Sequence, residues 1–430
     1  MSARALMCCT WALLAMLAGS GCVDVYELGA DDEPWPYFFG PEATCALDVN
    51  GDFQCVGTYA DGRLAIGPMD FTDMCGAREC ASVFEDSMLN APADAALGPD
   101  FGCFAAPDGV QCSGRNTFGQ LGRAPLTTVG DPVVRYVGAN FHPVQIEVGV
   151  AHGCAISEEA GVFCWGLGNQ GQLGRAASEL DACGTPDAAD AVRVGLAPAE
   201  DARCSTMPLP LPGFSDVVDL AVTDFTTCVL RASGEVRCFG LDTFGAAGLG
   251  GDEARVATPR ALDVPPLVEL VAGAGHVLGL TAGGDVWAWG SDAHGELGGL
   301  GAPSCAGQRC VVRPTRLRVD ASGGVALGAG TTFVLDDLHV LRSMGRNDRG
   351  QLGRTGSMDD CAGTPCSARL ERVALPRHAI HVGAGSTHAC AELSDHRTFC
   401  WGAGDAGQTG DPLHEDSALP RELPGPQPHP

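Results

Sequence analysis

The sequence contains no lysine, few aromatic residues and, beyond its first 22 positions, no long hydrophobic run. Its 26 basic residues stand against 53 acidic ones, which gives a formal net charge of -27. Nucleic acids and anionic membrane surfaces bind proteins through clustered cations, so neither is an expected partner. Because no later segment approaches the ~18 apolar residues of a spanning helix, the mature chain is predicted to have no transmembrane helix.

Linear catalytic and metal-binding motifs are also missing. The sequence has no serine nucleophile elbow, HExxH motif, phosphate-binding loop or paired-carboxylate motif. It has no CxxC pairs with histidine partners at ligand spacing. Residues 48–52 look like the start of a calcium loop but lack its distal glutamate, so a hairpin turn is predicted there. We therefore predict no catalytic residue, metal or cofactor, and no enzyme activity.

The first 22 residues have the three parts of a secretory signal: Arg4, an apolar stretch at 5–18 and small residues at 19–21. The small residues before Cys22 resemble the lipobox of bacterial lipoproteins, in which this cysteine is acylated. Gly19 stands where that pattern usually has leucine, so lipidation of Cys22 and simple cleavage with release both stay open. Because Val23 rather than aspartate follows the cysteine, a lipidated chain is expected at the outer membrane or cell surface. Otherwise the chain would be periplasmic or secreted.

The remaining cysteines fall into local pairs. Of the 21, Cys8 and Cys9 would leave with the signal and Cys22 is the lipid candidate, so 21 minus 3 leaves 18. Five pairs are nine or ten residues apart: Cys45 with Cys55, Cys103 with Cys112, Cys154 with Cys164, Cys228 with Cys238, and Cys390 with Cys400. Four more lie in connections: Cys75 with Cys80, Cys183 with Cys204, Cys305 with Cys310, and Cys361 with Cys366. Such a density predicts disulfides and a compartment outside the cytoplasm.

One motif recurs seven times. In one copy, 149–154 ends in His-Gly-Cys, 162–166 ends in Cys-Trp-Gly, and 169–174 reads Asn-Gln-Gly-Gln-Leu-Gly. The repeated anchor glycines are Gly57, Gly114, Gly166, Gly240, Gly290, Gly345 and Gly402. Their spacing is 50 to 57 residues except for one interval of 74. Each copy predicts a β-hairpin, and the cysteines nine or ten residues apart face each other across it.

Seven units of this period predict an all-β chain folded as a seven-bladed β-propeller. The predicted order is a signal peptide at 1–22, an acidic and proline-containing tether at 23–39, the propeller at 40–424 and a proline-rich tail at 425–430. Residues 419–424 resemble 259–264, which precede a later copy, yet no hairpin follows them. We therefore expect the C-terminal strand to complete the first blade, so that the N- and C-terminal strands meet in one sheet.

These repeats resemble the regulator of chromosome condensation type of propeller over roughly 40–424. Four copies lack the histidine of the motif, and its position is aligned there with Ala43, Phe101, Thr226 and Phe333. In the fourth copy the loop Gly-Gln-Leu-Gly is replaced by Gly-Ala-Ala-Gly at 245–248. Two hairpins lack the cysteines and are aligned as Leu278 with Ala288 and Leu335 with Ser343. We expect His152, His276 and His388 to be structural rather than a metal or acid-base ring. Trp165, Trp289 and Trp401 are expected to pack between blades rather than line a binding face.

The resemblance implies an exported binding scaffold for a protein or glycan, since secreted members of the family include an inhibitor of β-lactamases. An envelope lyase or hydrolase working in the channel is the alternative, and guanine-nucleotide exchange, the activity of the eukaryotic namesake, is a remote one. The insertions at 69–97, 180–211, 299–313 and 355–369 each contain a cysteine pair. They are predicted to form a stiff binding rim if they share a face, or else to be peripheral ornaments.

Overall fold

The computed structural model describes residues 37–423, apart from 48–51, 59–73, 76–77, 91, 107–108, 126–130, 138–141, 198, 251–253, 306, 320 and 412. The predicted signal at 1–22 with Cys22, most of the tether at 23–39 and the tail at 425–430 lie outside these residues. So does most of the predicted turn at 48–52. No helix within the described residues is long and apolar enough to cross a membrane.

Seven antiparallel sheets make up the described part of the chain, and each is one blade formed by a continuous segment. Blades 1 to 3 contain β1 (Tyr37–Phe39), β2 (Ala43–Leu47), β3 (Asp52–Thr58), β4 (Met74–Cys75) and β5 (Arg78–Asn90); β6 (Asp94–Leu97), β7 (Phe101–Ala106), β8 (Gly109–Gly114) and β9 (Asp131–Val137); and β10 (Pro143–Val148), β11 (His152–Ser157), β12 (Val162–Leu167), β13 (Asp181–Ala182), α1 (Ala188–Arg193) and β14 (Arg203–Pro210). A 3-10 turn at Ala177–Glu179 precedes β13.

Blades 4 to 7 repeat the same order. They contain β15 (Val217–Val222), β16 (Thr226–Arg231), β17 (Val236–Leu241) and β18 (Arg255–Ala261); β19 (Glu269–Ala272), β20 (His276–Leu280), β21 (Val286–Ser291), β22 (Ala302–Cys305) and β23 (Gln308–Leu317); β24 (Gly324–Leu327), β25 (Thr331–Leu335), β26 (Leu341–Arg346), β27 (Asp359–Cys361) and β28 (Thr364–Arg372); and β29 (Ala379–Ala384), β30 (His388–Leu393), β31 (Thr398–Gly402) and β32 (Ser417–Glu422).

The first strand of each blade lies innermost. These strands contact one another in the order β1, β6, β10, β15, β19, β24, β29 and back to β1. The ring is therefore closed around a central channel, and the fold is the predicted seven-bladed β-propeller. Its first strand begins at Tyr37, three residues before the expected start at Gly40.

The anchor glycines recur because the backbone requires them. All seven have positive φ, for example +89° at Gly166 and +123° at Gly57, a region that disfavours side chains. A Cβ added at Gly166 would also collide with the carbonyl oxygen of Ala151, and the other six anchors face the equivalent oxygen. Each anchor thus lets the third strand pass close to the start of the second. This common requirement explains why the motif keeps glycine even in its degraded copies.

The prediction for the C-terminal strand is wrong. β32 pairs with β31, with Phe399 opposite Glu422 and Gly402 opposite Ser417, so it completes the seventh blade. The first blade has its own fourth strand, because β5 pairs with β3. The prediction rested on the likeness of 419–424 to 259–264. The segment 259–264 likewise begins in β18, which is the fourth strand of the fourth blade and pairs with β17. The proline-containing segment therefore ends each repeat rather than beginning the next.

Side-chain contacts between blades 7 and 1, rather than a C-terminal strand in blade 1, close the ring. Phe39 of β1 packs against β29 so closely that any side chain at Gly383 would collide with its ring. The buried Thr44 hydroxyl donates to the carbonyl oxygen of Gln408 at 2.9 Å and lies 2.9 Å from Nε2 of His388. Packing and two buried hydrogen bonds thus join blade 7 to blade 1.

Disulfides join strands within individual blades. Five bonds join the second and third strands of blades 1, 2, 3, 4 and 7: Cys45–Cys55, Cys103–Cys112, Cys154–Cys164, Cys228–Cys238 and Cys390–Cys400. Three further bonds lie in the insertions: Cys183–Cys204, Cys305–Cys310 and Cys361–Cys366. The Cys75 side chain lies outside the described residues, so its bond with Cys80 stays a prediction. The loop leucines Leu121 and Leu297 are fully buried.

Candidate binding site on the upper face of the propeller

Two kinds of connection emerge on one face of the ring, which we call the upper face. They are the first turns, which join the first and second strands, and the loops that join the third and fourth strands. Both follow strands that run in the same direction, because neighbouring strands in each blade are antiparallel. The described insertions of blades 3, 5 and 6 begin in loops of the second kind, so they share this face. Only its inner part, near the first turns, surrounds the channel.

Three described insertions extend the fourth strands as short hairpins. In blade 5, Ala302 pairs with Cys310, and in blade 6, Asp359 pairs with Cys366. In blade 3, Asp181 pairs with Cys204. Because the fourth strand is outermost in each blade, the added strands lie at the periphery. In the described part of the chain, these three insertions are therefore disulfide-tied hairpins at the periphery of one face, and their role as a binding rim stays a prediction.

The blade 3 insertion also extends inward across the upper face. Its helix α1 begins after Asp187, whose carboxylate accepts from the backbone N–H of Asp190 at 2.8 Å. Ala191 on this helix packs in a cluster with Phe118 of blade 2. Arg193 forms an ion pair with Asp100 of blade 2. The insertion therefore covers the junction of blades 2 and 3 and leaves the channel mouth open.

The mouth of the central channel is a cavity of about 330 Å³. First turns of six blades and the end of β10 line it, and its wall is mostly backbone and small side chains. In each turn a backbone N–H donates to the carbonyl of the next strand's first residue, as from Gly149 to His152 at 2.9 Å. A side chain at Gly385 would collide with the carbonyl oxygen of Gly40. The wall is therefore tightly packed and rigid.

A second cavity of about 220 Å³ opens between blades 4 and 5. Phe225, Phe244 and Ala246 form apolar parts of its wall, and His294 is also among the lining residues. Both cavities are lined by Thr223, Asp224, Ala274 and Ala329. They therefore form one continuous hollow from the channel mouth outward, which we call the Asp224 depression.

Asp224 stands where the two cavities meet. Its backbone N–H donates to the Ala274 carbonyl at 2.9 Å, and its own carbonyl accepts from Val150 at 3.2 Å, which fixes the turn. Its carboxyl group has no hydrogen-bond or ion-pair partner among the described residues. Burial without such a partner raises the pKa of the carboxyl to about 7. The side chain therefore presents an uncompensated carboxylate to the depression at pH values above 7.

Sequence reasoning missed Asp224, although the repeat contains a signal for it. The equivalent position in the other six copies holds an uncharged residue: Pro41, Pro99, Val150, Ala274, Ala329 and Ser386. A charge at one of seven equivalent positions marks a departure from the repeat that the fold does not require. An alignment of the copies by their first turns would have identified it.

The three repeated histidines are structural, and they lie at three separate blade interfaces. His152 Nε2 is 3.2 Å from the Thr227 hydroxyl, and His276 Nε2 is 3.2 Å from the Thr332 hydroxyl. His388 makes the equivalent contact with Thr44 across the closure. Burial lowers the pKa of His152 and of His388 to about 3, so both are neutral. No group of three or more metal-ligating side chains occurs in the described residues.

The three repeated tryptophans also join neighbouring blades. The Nε1–H of Trp165 donates to the Gln120 carbonyl at 2.9 Å, and that of Trp289 to the Ala246 carbonyl at 3.0 Å. Trp401 donates to the Gln351 carbonyl at 2.9 Å. All three indoles are fully buried. The tryptophans therefore stabilise blade packing rather than line the binding face.

The sixth copy was aligned two residues out of register. Thr331 faces Gly345, as His276 faces Gly290, so Thr331 rather than Phe333 occupies the histidine position. Phe333, not Leu335, lies opposite Ser343. The alignment of Leu278 with Ala288 in the fifth copy agrees with the structure. The error arose because the sixth copy has neither cysteine nor histidine to fix its register.

A closed ring of seven such blades defines the class of protein, and comparison with known proteins gives its family. Residues 144–172, 217–246 and 268–296 match the regulator of chromosome condensation (RCC1) repeat. The guanine nucleotide exchange factor SRM1 of Saccharomyces cerevisiae is 30% identical over 333 residues, covering 71% of this chain and 67% of that protein. The chain belongs to the RCC1 repeat family.

Other relatives are more distant. Protein pim1 of Schizosaccharomyces pombe is 25% identical over 282 residues, covering 65% of this chain and 50% of the relative. The chain thus spans about half of pim1 and two thirds of SRM1. Among solved structures, Prp20p from Saccharomyces cerevisiae has a TM-score of 0.69 at 18% identity, covering 91% of this chain and 88% of that one. Human WBSCR16 has a TM-score of 0.68 at 20% identity, covering 86% and 94%. These structures show the shared fold alone.

Proposed function

We propose that this chain is an exported scaffold that binds a partner protein on its upper face. Eight disulfides in the described residues support export, because such bonds persist only in an oxidising compartment. The predicted signal at 1–22 supports the same location. Acylation of Cys22 would tether the propeller to the outer membrane or cell surface, and cleavage alone would release it.

The observation that carries the proposal is the Asp224 depression together with exposed apolar side chains in the loops of the same face. Val192 on α1 is 74% exposed and Leu413 in the last loop is 70% exposed. Phe244 and Leu300, in the loops of blades 4 and 5, are also exposed. A concave, partly polar centre with exposed apolar side chains around it is typical of a protein-binding surface.

The stiffness of the peripheral hairpins favours binding. The Cys305–Cys310 bond closes the blade 5 hairpin, and Gln308 at its tip also lines the cavity between blades 4 and 5. A loop held by a disulfide loses less conformational entropy when it binds. We therefore expect replacement of Cys305 and Cys310 by alanine to weaken partner binding with the propeller still folded. Unchanged affinity would show that the stiffness of this hairpin does not contribute to binding.

Affinity capture tests the proposal. The oxidised chain 23–430 is incubated with envelope and secreted fractions of its source, and bound material is identified by mass spectrometry. Leu413→Ser changes the upper face, and its matched control Leu338→Ser changes a 68% exposed leucine in a hairpin turn on the lower face. Recovery of a partner should fall about 10-fold with Leu413→Ser alone. Equal recovery with both variants would refute binding on the upper face.

The chemical class of the partner is tested in the same experiment. Protease treatment of the fractions before capture should abolish recovery, because the proposed partner is a protein. Recovery that survives protease but is lost after glycosidase treatment would identify a glycan and contradict the proposal. No enriched material at all would shift weight to the channel enzyme.

Guanine-nucleotide exchange is a second candidate, favoured by the likeness to SRM1, whose name states that activity. The predicted export and the disulfides oppose it, because disulfides at this density persist in oxidising compartments outside the cytoplasm. Release of a fluorescent guanine nucleotide from a panel of purified small GTPases distinguishes the two. We expect no acceleration by the oxidised chain, and acceleration would replace the scaffold proposal.

A further inference from the structure

The charges around the Asp224 depression are all acidic apart from imidazoles. Glu147, Asp224 and Glu296 line the two cavities with His276 and His294, and no arginine among the described residues does so. Glu296 is already engaged, because it accepts from the Ser291 hydroxyl at 2.7 Å and from the backbone N–H of His294 at 2.6 Å. Asp224 is the acidic group at the junction whose carboxyl has no partner in the described part of the chain.

Such a carboxylate is costly for the free protein. Asp224 is half-buried, and a carboxylate that is partly removed from water without a hydrogen-bond partner from the protein destabilises the folded state. In the other six blades the same first turn forms with proline, valine, alanine or serine at this position. The fold therefore does not require Asp224, and a ligand that supplies the missing opposite charge would compensate for its burial.

The walls of the depression match one chemical class of ligand. Phe225 and Phe244 line the cavity beside Asp224, and apolar walls accept the aliphatic part of a long basic side chain. Aromatic rings also attract cations. The openness of the hollow toward the upper face lets a side chain enter from a protein bound there. A lone metal ion fits less well, since no cluster of ligating side chains occurs in the described residues.

We propose that the Asp224 depression receives an arginine or lysine side chain of the partner protein, with its cationic group paired to the Asp224 carboxylate. This inference rests on the scaffold function proposed above. It identifies the partner surface as basic and apolar, complementary to a chain of net charge -27. Asp224 would then be a specificity-determining residue at the centre of the interface.

The test uses N-acetyl-arginine methylamide as a probe and the citrulline analogue, which has a similar shape but no charge, as the control ligand. Binding to the full oxidised chain 23–430 at pH 8 is followed by amide NMR shifts of Asp224, Phe225 and Ala274. The arginine probe should give saturable shifts at these amides, and the citrulline analogue should bind at least ~10-fold more weakly. Absence of saturable shifts, or equal binding of both probes, would overturn the inference.

Asp224→Asn should weaken the arginine probe at least ~10-fold while the chain stays folded. Asp337→Asn, in an exposed hairpin turn on the lower face, is the matched control and should leave binding unchanged. In partner capture, loss of recovery with Leu413→Ser but not with Asp224→Asn would leave the scaffold function standing and reject the Asp224 pairing. Loss with neither would reject the upper face itself.

Discussion

Replacement of Thr44 by valine tests how the ring closes. Thr44 is fully buried between blades 7 and 1, and its hydroxyl group is the only polar atom of its side chain. The single hydroxyl hydrogen goes to the Gln408 carbonyl at 2.9 Å, so His388 Nε2 must donate its hydrogen to the hydroxyl oxygen. Valine has nearly the same shape and creates no cavity, but it leaves both buried groups without this partner.

Each buried group that loses its partner costs about 1–3 kcal/mol, so two such groups predict a loss of about 2–6 kcal/mol in the free energy of unfolding. The assay is equilibrium unfolding of the oxidised chain 23–430 in guanidinium chloride, followed by intrinsic fluorescence. Thr332→Val is the matched control, because Thr332 donates to the Glu296 carbonyl at 2.7 Å and contacts His276 in the same way between blades 5 and 6. The two variants should be destabilised to a similar extent.

A small effect of Thr44→Val beside a large effect of Thr332→Val would refute the closure described here, because the contact between blades 7 and 1 would then carry little of the stability. Small effects in both variants would instead refute the assignment of two unpaired buried groups. A large effect of Thr44→Val alone would indicate that the closing interface is the weakest point of the ring.

Three further predictions follow from the strand order and the pKa shifts. Deletion of 417–423 should lower the hydrogen-exchange protection of β31 in blade 7 and leave that of β3 in blade 1 unchanged. Loss of protection in β3 instead of β31 would show that the C-terminal strand completes blade 1. His152 has a pKa of about 6.5 in the unfolded chain but of about 3 in the folded protein. The free energy of unfolding should therefore fall by up to about 1.4 kcal/mol per pH unit as the pH drops between these values. In urea unfolding, His152→Gln should make this pH dependence weaker. The pKa of Asp224 is instead raised, to about 7, so its carboxylate lowers the free energy of unfolding as the pH rises. Asp224→Asn should therefore change the free energy of unfolding little at pH 4 and increase it by up to about 4 kcal/mol at pH 8, less if water enters the depression. A destabilised Asp224→Asn variant at pH 8 would contradict the unpaired carboxylate.

The sequence predicts the blades well because the repeated residues have local causes. The anchor glycine and the cross-strand cysteines each act within one hairpin, so their spacing is enough to predict their positions. The assignment of the fourth strand failed for the opposite reason. The segment ending in β32 lies between two hairpins or after the last one, and only contacts with β31 show to which blade it belongs.

The candidate site was harder to predict than the fold because it depends on what is absent. An alignment of the repeats marks Asp224 by its charge, but it does not show that the described residues of the neighbouring turns offer its carboxyl no donor and no cation. That absence is a property of the assembled ring, since the lining residues come from every blade. Trp165 and His152 were, in contrast, conspicuous in sequence, and both turn out to be structural.

Two kinds of side-chain hydrogen bond alternate at the interfaces between blades, and both are donated to the same backbone carbonyl. This oxygen belongs to the final loop of each blade, and it accepts from a tryptophan of the next blade at the interfaces 2–3, 4–5 and 6–7. At the interfaces 3–4, 5–6 and 7–1 it accepts from a threonine that also contacts the histidine of the preceding blade. Blades 3, 5 and 7 thus carry the histidine and tryptophan, and blades 4, 6 and 1 carry the threonine.

An odd ring cannot alternate throughout, so one interface must differ. That interface lies between blades 1 and 2, where Phe53 packs edge-on against Phe104 with their ring centroids 5.7 Å apart. Blade 2 has Gly102 at the threonine position and Ser113 at the tryptophan position. The irregular interface is therefore one step away from the chain closure, which uses the regular threonine and histidine device. Closing the ring at a regular interface lets the last blade recognise the first by the same buried hydrogen bonds that join blades within the chain.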